Sequence, residues 1–530
     1  ALPLHPATFE KVDETFRRAS RTLKTQRGMT TYMTLEEARK SLKDLELREF
    51  AYNHAAGMLY FDGVTAAPKG TYVSRGKTLS VLNEAAYSLS NSDAARETLR
   101  VLSDHLDELT PAEKRLVELR EKSLRFKSRV PVDEYVAYKD LLNEAATVWR
   151  EAKAKSDYAM FEPLLQKIID ASRRFAGLVE PEKDPYDFWL DTYEEGMTQE
   201  FCDKFFAELR SKLVPLIAKV GAAEPPDTSL LGVRFPLDRQ DELSHWLMRF
   251  LGLDPDRCTL ATTEHPFTTD FSRYDVRITT KYYEDAFASS MFSVIHEGGH
   301  ALYELGTAEE YAFTKLGSGV SMGVHESQSR FFENIIGRSR AFCNLVWPEL
   351  VRLCPELGRY DADMFYRAVN AAQPGLIRIE ADELTYSLHV MVRYELERAL
   401  LHGELNARDL PEHWNALYKQ YLGVDVPDDA HGVLQDSHWS GGDFGYFPSY
   451  ALGSAYGAQL IERMRGSFDV DAAVASGDLA PVRDWLGERI WRHGSLIKPT
   501  ELMRSALGGE FDASYYTRYL EAKMREVYKL

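Results

Sequence analysis

The segment HEGGH at 296–300 places two histidines four residues apart. Apolar side chains recur at helical spacing on both sides of it, which predicts a helix. Residues four apart lie on one face of a helix, so His296 and His300 can reach one metal ion. Zinc prefers such nitrogen ligands, and Glu297 can accept a proton from a water bound to that metal. The segment therefore predicts a hydrolytic metal centre.

Two adjacent glycines, Gly298 and Gly299, cost about 1 kcal/mol each in a helix relative to alanine. This cost indicates that a packed helix or a substrate approaches the backbone closely at this point. A plain amphipathic helix that happens to carry two histidines is the competing interpretation of the whole segment.

A third candidate ligand favours the metal interpretation. Glu326 lies 26 residues after His300 and begins a second apolar pattern at helical spacing. A catalytic zinc site has three protein ligands and leaves the fourth position to water. On its own, Glu326 would be better explained as a surface carboxylate. His325 and Gln328, in the same HESQ segment, are candidates for orienting the ligands by hydrogen bonds.

The remaining pattern is overwhelmingly helical. Thr34 with Glu37 and Thr110 with Glu113 have the spacing of capping boxes. One segment differs: DVRITT at 275–280 alternates apolar and polar residues and is rich in β-branched types, which predicts a strand. A few strands are expected in a helical protein that holds an extended substrate along a sheet edge.

Six motifs in one order resemble those of the M32 metallocarboxypeptidases, the carboxypeptidase Taq family. They are HPF at 265–267, DVRIT at 275–279, HEGGH at 296–300, HESQ at 325–328, IRIEAD at 377–382 and GVLQDSHW at 432–439. The motif-bearing part spans residues 265–446, about a third of the chain. The N-terminal half resembles the family less closely.

The resemblance implies a mainly α fold similar to neurolysin and angiotensin-converting enzyme, with a deep central groove and a small β-sheet near the HExxH helix. It implies removal of single C-terminal residues from peptides with broad specificity, by Glu-assisted attack of metal-bound water. The implied cofactor is one zinc ion per chain, or cobalt in its place, and the implied assembly is a homodimer. The HPF and DxRxT motifs favour a carboxypeptidase over endopeptidase relatives.

A carboxypeptidase must recognise the free α-carboxylate of its substrate, and an arginine fork matches that group. We favour Arg378, because the resemblance places its motif near the end of the substrate, and Arg277 is the second candidate. Arg378 could instead pair with Asp382, four residues on, to stabilise a helix. Arg277 could brace a neighbouring carboxylate. His265 could line the substrate pocket or simply lie in a proline turn.

The tetrahedral intermediate of peptide hydrolysis needs hydrogen-bond donors aimed at its oxyanion. The segment 441–447 is rich in glycine and aromatic residues, as a mobile lining would be. Tyr446 resembles the catalytic tyrosine of the angiotensin-converting-enzyme relatives, and His438 is a second candidate donor. Either could instead be a hydrogen-bonding residue of the core. Asp382 is predicted to orient the ligand side chains through hydrogen bonds without binding the metal itself.

Composition limits the partners and the location. The chain has 530 residues and a formal net charge of −18, which disfavours nucleic acid or an anionic membrane surface as a partner. Four scattered cysteines, and the lack of an apolar run of roughly 20 residues, favour a cytoplasmic protein over a disulfide scaffold or a membrane protein. We predict an N-terminal helix or extension over 1–28 and a single peptidase domain over 29–530.

Two other functions compete with a carboxypeptidase. An endopeptidase or dipeptidase on the same fold is one of them, and it would cut end-blocked peptides that a carboxypeptidase leaves intact. The other is a catalytically silent helical scaffold that binds peptides. The intact set of His296, Glu297, His300 and Glu326 argues against this second alternative.

Overall fold

The computed structural model describes residues 33–530, and the N-terminal helix or extension predicted over 1–28 lies outside the described residues. The strands are β1 (Cys258–Thr262), β2 (Thr268–Ser272) and β3 (Asp275–Thr280). The helices are α1 (Leu35–Thr65), α2 (Tyr72–Ser90), α3 (Asp93–Ser103), α4 (Pro111–Arg129), α5 (Val132–Lys155), α6 (Glu162–Val179), α7 (Pro185–Tyr193), α8 (Gln199–Ala222), α9 (Leu237–Leu251), α10 (Phe287–Gly306), α11 (Met322–Arg330), α12 (Arg340–Leu353), α13 (Ala362–Val369), α14 (Tyr386–His402), α15 (Leu410–Leu422), α16 (His438–Gly441), α17 (Phe447–Arg465), α18 (Val470–Ser476), α19 (Ala480–Arg489), α20 (Pro499–Leu507) and α21 (Ser514–Tyr528).

The prediction of a mainly α fold with a small sheet is confirmed. Both predicted capping boxes are present: Thr34 and Thr110 each accept a hydrogen bond from the backbone of the third helical residue, whose glutamate bonds back to the cap. Short 3-10 turns join many of the helices, and a π-helical stretch, Phe331–Ile336, extends α11. Within residues 33–530, no helix combines the length and the apolar character that crossing a bilayer requires.

The buried apolar side chains form two clusters. The larger one runs from Val130 to Tyr528 and includes the helices that carry the predicted site. The smaller one joins α1, α3 and α4 around Leu42 and Leu116 and also includes Leu316. The N-terminal helices therefore have their own packing layer beside the main core.

The three strands form one sheet in the order β1-β3-β2. β1 runs parallel to β3, whereas β2 is antiparallel to it, with Thr268 opposite Ile278 and Asp270 opposite Val276. Val276 and Ile278 are fully buried, and β3 packs on α10. One side of β2 has no strand partner among the described residues, so β2 forms an edge of the sheet next to α10.

Glycines set the spacing around α11. A Cβ built on Gly299 of α10 would lie 2.7 Å from the carbonyl oxygen of Gln328 in α11. A Cβ on Gly453 of α17 would lie 2.8 Å from the Cβ of Glu326. Any side chain at either position would push a helix away and carry Glu326 with it. The close approach predicted at the paired glycines is thus confirmed, and Gly298 likewise lies against the side chain of Leu251.

Candidate metal centre

The packing of α10 on α11 brings three predicted ligands together. His296 and His300 project from α10 with ring centroids 5.0 Å apart and planes nearly perpendicular. The Nε2 atoms of the two rings lie 3.8 and 3.6 Å from the same oxygen, Oε2 of Glu326. One donor atom from each residue lies within 4.8 Å of the other two. Two imidazoles and one carboxylate at this spacing fit a single divalent ion such as zinc.

His296 is oriented directly by a carboxylate. Its Nδ1 lies 2.8 Å from Oε2 of Glu333, in the π-helical stretch after α11. If Nδ1 donates this bond, Nε2 carries a lone pair and faces Glu326, as a metal ligand requires. Arg330 and Arg338 donate to the same carboxylate. Burial alone would raise the pKa of Glu333, but Arg330 and His296 hold it well below its ordinary range.

His300 is oriented through a second imidazole. Its Nδ1 lies 2.6 Å from Nδ1 of His325, and Nε2 of His325 lies 2.7 Å from Oε1 of Glu304. One assignment of protons satisfies both contacts with neutral rings: His300 donates to His325, which in turn donates to Glu304. That assignment leaves Nε2 of His300 free to bind a metal.

Glu326 is ionised and restrained. Its Oε1 accepts a bond of 2.7 Å from Nε of Arg330, and Ser329 donates to its Oε2. Burial opposes ionisation, but the charge of Arg330 and the facing imidazoles of His296 and His300 lower the pKa of Glu326 well below its ordinary value. The carboxylate is therefore ready to bind a cation across a wide pH range.

Glu297 follows the first ligand and lies against the sheet edge. The hydroxyl of Thr268, in β2, lies 2.6 Å from Oε2 of Glu297 and 3.0 Å from its backbone carbonyl oxygen. The other carboxylate oxygen of Glu297 has no hydrogen-bond partner among residues 33–530. One oxygen is thus held in place while the other remains available to a reactant.

These residues open onto a cleft of about 800 Å³. Its walls include Phe267, then Thr268 and Asp270 from β2, the segment 318–322, and the phenols of Tyr193, Tyr446 and Tyr450. Burial raises the pKa of Tyr446 to about 12, so its hydroxyl stays protonated at neutral pH. A protonated phenol beside a metal site can donate a hydrogen bond to a developing oxyanion.

His438 lies behind this wall and does not line the cleft. Its Nε2 is 3.3 Å from the hydroxyl of Tyr450, and its ring stacks on that of Tyr446. Burial, together with the charges of Arg378 and Arg393, lowers the pKa of His438 to about 4. The ring is therefore neutral at physiological pH.

Arg378 also lies behind the wall, in a buried network with Arg393 and Asp436. Nε and Nη2 of Arg378 donate to Oδ1 of Asp436, at 3.1 and 2.8 Å, and Nη1 donates to the hydroxyl of Tyr386. Its guanidinium carbon lies 4.9 Å from the centre of the Tyr450 ring, which itself lines the cleft. Arg378 therefore places a positive charge behind Tyr450 without facing the cleft directly.

The structure does not form the alternative pair between Arg378 and Asp382. Asp382 instead accepts hydrogen bonds from the backbone amides of Gln373, Leu384 and Thr385, and so shapes the loop before α14. Gln328 accepts a bond from the Trp491 indole and contacts no ligand side chain by hydrogen bond. Roles for these residues in supporting the site remain predictions.

Two predicted substrate-binding residues lie outside the residues that line the cleft. Arg277 forms a two-point ion pair with Asp275 and packs on the rings of Phe61 and Phe271. This is the bracing geometry that competes with substrate binding. His265, the first residue of the HPF motif, is exposed. Binding roles for Arg277 and His265 stay untested predictions.

Several side chains of the site escaped prediction from the sequence. Glu304 and Arg330 each follow a ligand at the i+4 helical position, and Glu333 follows Glu326 by seven residues, spacings that place them on the ligand faces. That periodicity was a usable signal. Thr268 had no comparable signal, because its contact with Glu297 depends on how the sheet packs on α10.

A helical protein with two histidines and a glutamate converging in a cleft beside a sheet edge has the architecture of a metallopeptidase. The model of the carboxypeptidase Taq (M32) metallopeptidase family matches residues 41–524. The chain therefore belongs to that family and is a metallocarboxypeptidase, a peptide hydrolase that requires a divalent metal.

Individual relatives agree with this assignment. Carboxypeptidase 1 of Bacillus subtilis is 40% identical over 501 residues, which cover 94% of this chain and 100% of that protein. Thermostable carboxypeptidase 1 of Pyrococcus furiosus is 36% identical and covers 90% of this chain and 96% of its own. The crystal structure of the M32 carboxypeptidase from Deinococcus radiodurans R1 superposes with a TM-score of 0.90 at 35% identity, covering 93% of this chain and all of that one.

Proposed function

We propose that the chain is a zinc-dependent carboxypeptidase that removes single C-terminal residues from peptides with broad specificity. The convergence of His296, His300 and Glu326 on one point, with Glu297 beside them in the cleft, carries this proposal. The donor set suits one zinc ion per chain, with cobalt as a substitute, and leaves a position open on the cleft side. Uncharged residues of the cleft wall, such as Phe267 and Met322, suit a site that accepts many side chains.

A bound divalent metal would polarise the scissile carbonyl and lower the pKa of water. Glu297 then takes the proton of the attacking water with its free carboxylate oxygen, while Thr268 holds the other oxygen. The same carboxylate returns the proton to the leaving amino group. Because the β2 edge runs past Glu297, an extended peptide can pair its backbone with that edge.

Tyr446 is our first candidate for the donor to the oxyanion, because its protonated hydroxyl lines the cleft. His438 acts through Tyr450, to whose hydroxyl it is bonded. Arg378 supplies the positive charge that attracts the terminal carboxylate. A direct bond between Arg378 and that carboxylate requires the ring of Tyr450 to move aside, since the ring separates the guanidinium from the cleft.

A homodimer and a cytoplasmic location remain part of the proposal. The dimer follows from the family resemblance, and the location follows from the scattered cysteines. Light scattering after size-exclusion chromatography would measure the first, and fractionation of source cells would measure the second.

Hydrolysis of N-blocked dipeptides tests the function. The wild type and Glu297→Gln are each stripped with a chelator and then given zinc or cobalt. We expect the metals to restore activity in the wild type only, with kcat at least about 100-fold lower in Glu297→Gln and equal zinc content in both. Internally quenched peptides blocked at both ends should remain intact.

Two results would contradict the proposal. Cleavage of the end-blocked peptides would identify an endopeptidase. Stoichiometric zinc without any release of C-terminal residues would instead favour a silent peptide-binding scaffold.

A further inference from the structure

Asp270 is a carboxylate of the cleft that the catalytic scheme does not use. It lies two residues after Thr268 on β2, and both residues line the cleft. Within residues 33–530, the Asp270 carboxylate forms no hydrogen bond or ion pair with another residue. Other acidic groups of the cleft are engaged, since Glu304 accepts bonds from His325, Ser318 and the amide of Gly319.

Asp270 also lies where the cleft meets a second cavity of about 200 Å³, which we call the side cavity. The side cavity lies between α1, the end of β2 and the turn 312–318. Asp270 and Ser318 line both spaces, so the cleft and the side cavity adjoin at these two residues. The side cavity is therefore a candidate space for peptide residues beyond the metal site.

Within residues 33–530, no lysine or arginine pairs with Asp270, and the imidazole of His325, which attracts its charge, is itself bonded to Glu304. Lys315, in the side cavity, is paired with Glu49, and Arg273 stacks on the ring of Tyr274. Asp270 is solvent-accessible, but the space it faces is concave. The loss of hydration in that space and the charge of Glu304 raise the pKa of Asp270 to about 7. A cation placed there would relieve an unfavourable concentration of negative charge.

The charge at Asp270 also fixes the direction of the substrate. A terminal carboxylate would be repelled by Asp270 and Glu304, so the C-terminal end of the peptide must point away from them, towards Tyr450 and Arg378. The residues that precede the scissile bond then run past Asp270. Successive side chains on one face of a strand are about 6.6 Å apart, so Asp270 lies one such step along β2 from Thr268, whose hydroxyl contacts Glu297.

We propose that Asp270 determines specificity by binding a basic side chain, lysine or arginine, on the N-terminal side of the scissile bond. The side cavity receives the residues further upstream. This inference rests on the proposed function, because the direction of the peptide depends on which end is cleaved.

Peptide binding in the Glu297→Gln background tests the inference without turnover. N-acetylated tetrapeptides carry lysine, norleucine or glutamate at the first or the second residue before the C-terminal bond, and their affinities for the zinc-loaded protein are measured by calorimetry. At one of the two positions we expect lysine to bind about tenfold tighter than norleucine, and glutamate to bind more weakly than norleucine. The preference should decrease as salt concentration rises.

Variants then assign the preference to Asp270. Adding Asp270→Asn should bring the ratio of lysine to norleucine affinity close to one, and Asp270→Lys should reverse the preference in favour of glutamate. Asp256→Asn removes the same charge from the exposed turn before β1 and should keep the preference. Equal binding of the lysine and norleucine peptides at both positions, or a preference that survives in Asp270→Asn, would overturn the inference.

The wild type separates this inference from the proposed function. A lysine preference in binding combined with no release of C-terminal residues would support the role of Asp270 and contradict the carboxypeptidase scheme. Release of C-terminal residues with no charge preference would support the carboxypeptidase scheme and contradict the role of Asp270.

Discussion

The metal cleft and the Arg378 network, formed by Arg378, Arg393 and Asp436, are both built from motif residues and buried charges, yet they leave different groups unsatisfied. In the cleft, the Nε2 atoms of His296 and His300 lie beyond hydrogen-bonding distance of Glu326. In the network, Asp436 receives charge-assisted bonds from both arginines. The first arrangement leaves lone pairs for a ligand. In the second, two guanidiniums share one carboxylate, so their hydrogen bonds are used within the network while one positive charge is left over.

This difference shows that a motif residue can either bind a ligand or hold the structure together. Both regions contain residue types that could do chemistry, and the resemblance marked both. A metal-binding site has ligand atoms without a hydrogen-bond partner, here the Nε2 atoms of His296 and His300. A structural network has its polar atoms bonded to one another. Arg378 is tied by its backbone amide to Gln435, which also accepts a bond from Arg393. The network therefore joins the loop before α14 to the segment before α16.

The sharpest test of the comparison is Glu326→Gln. The change removes a charged ligand, while Arg330 retains Glu333 as a partner, so the fold should persist. We expect zinc affinity to fall by more than the 10–100-fold that loss of a supporting hydrogen bond typically costs, and peptidase activity to be nearly abolished. Chelator competition and dipeptide hydrolysis measure the two effects. The exposed Glu412→Gln serves as the control and should change neither.

Asp436→Asn should show the opposite pattern. Burial would raise the pKa of Asp436, but Arg393 and Arg378 hold it well below the ordinary range, so the two buried guanidiniums depend on this charge. We expect the free energy of unfolding to fall by about 3–5 kcal/mol, while the folded variant keeps its zinc. Denaturant titration with zinc analysis measures both. Asp425→Asn, which breaks an exposed pair with Lys419, should cost less than about 1 kcal/mol.

The comparison also separates what the sequence could predict from what it could not. Helical periodicity places His296 and His300 on one face, and two capping boxes predict helix starts, because these are local properties of the chain. The sequence also indicated a close approach at Gly299, since paired glycines in a helix need a reason. The partner, the backbone of α11, became visible only in the fold.

Long-range contacts set the remaining features. Arg378 and Asp436 are 58 residues apart, so the choice between Asp382 and Asp436 as partner of Arg378 depended on how two loops meet. The support of His300 by His325 and Glu304 required two helices to pack at a particular distance. Thr268 and Asp270 could not be predicted as site residues because neither belongs to a motif. Only their shared face on β2 directs them into the cleft.

His438, next to the Arg378 network, should make the free energy of unfolding depend on pH. Its pKa is lowered from an ordinary 6.5 to about 4, so between these values the unfolded chain binds a proton that the folded chain does not. Stability from this group is therefore complete above pH 6.5 and declines as the pH falls towards 4, by up to about 3 kcal/mol. The free energy of unfolding at pH 7.5 and 4.5 should show this loss in the wild type. It should be reduced in His438→Asn, and equal pH slopes would argue against a buried neutral ring.

Thr268→Val makes the smallest change and tests whether the cleft depends on positioning as well as on its ligands. The variant keeps the shape of the side chain but removes the hydroxyl that holds one oxygen of Glu297. Since a hydrogen bond to a charged group contributes about 1.5–3 kcal/mol, we expect kcat to fall about tenfold or more, with KM and zinc affinity little changed. Thr268→Ser should retain most of the activity because the hydroxyl remains. Thr269→Val, one residue along the same strand but outside the cleft lining, controls for effects on the sheet. If Thr268→Val matched the wild type in kcat, Glu297 would be positioned by α10 alone, and the edge strand would serve the substrate rather than the base.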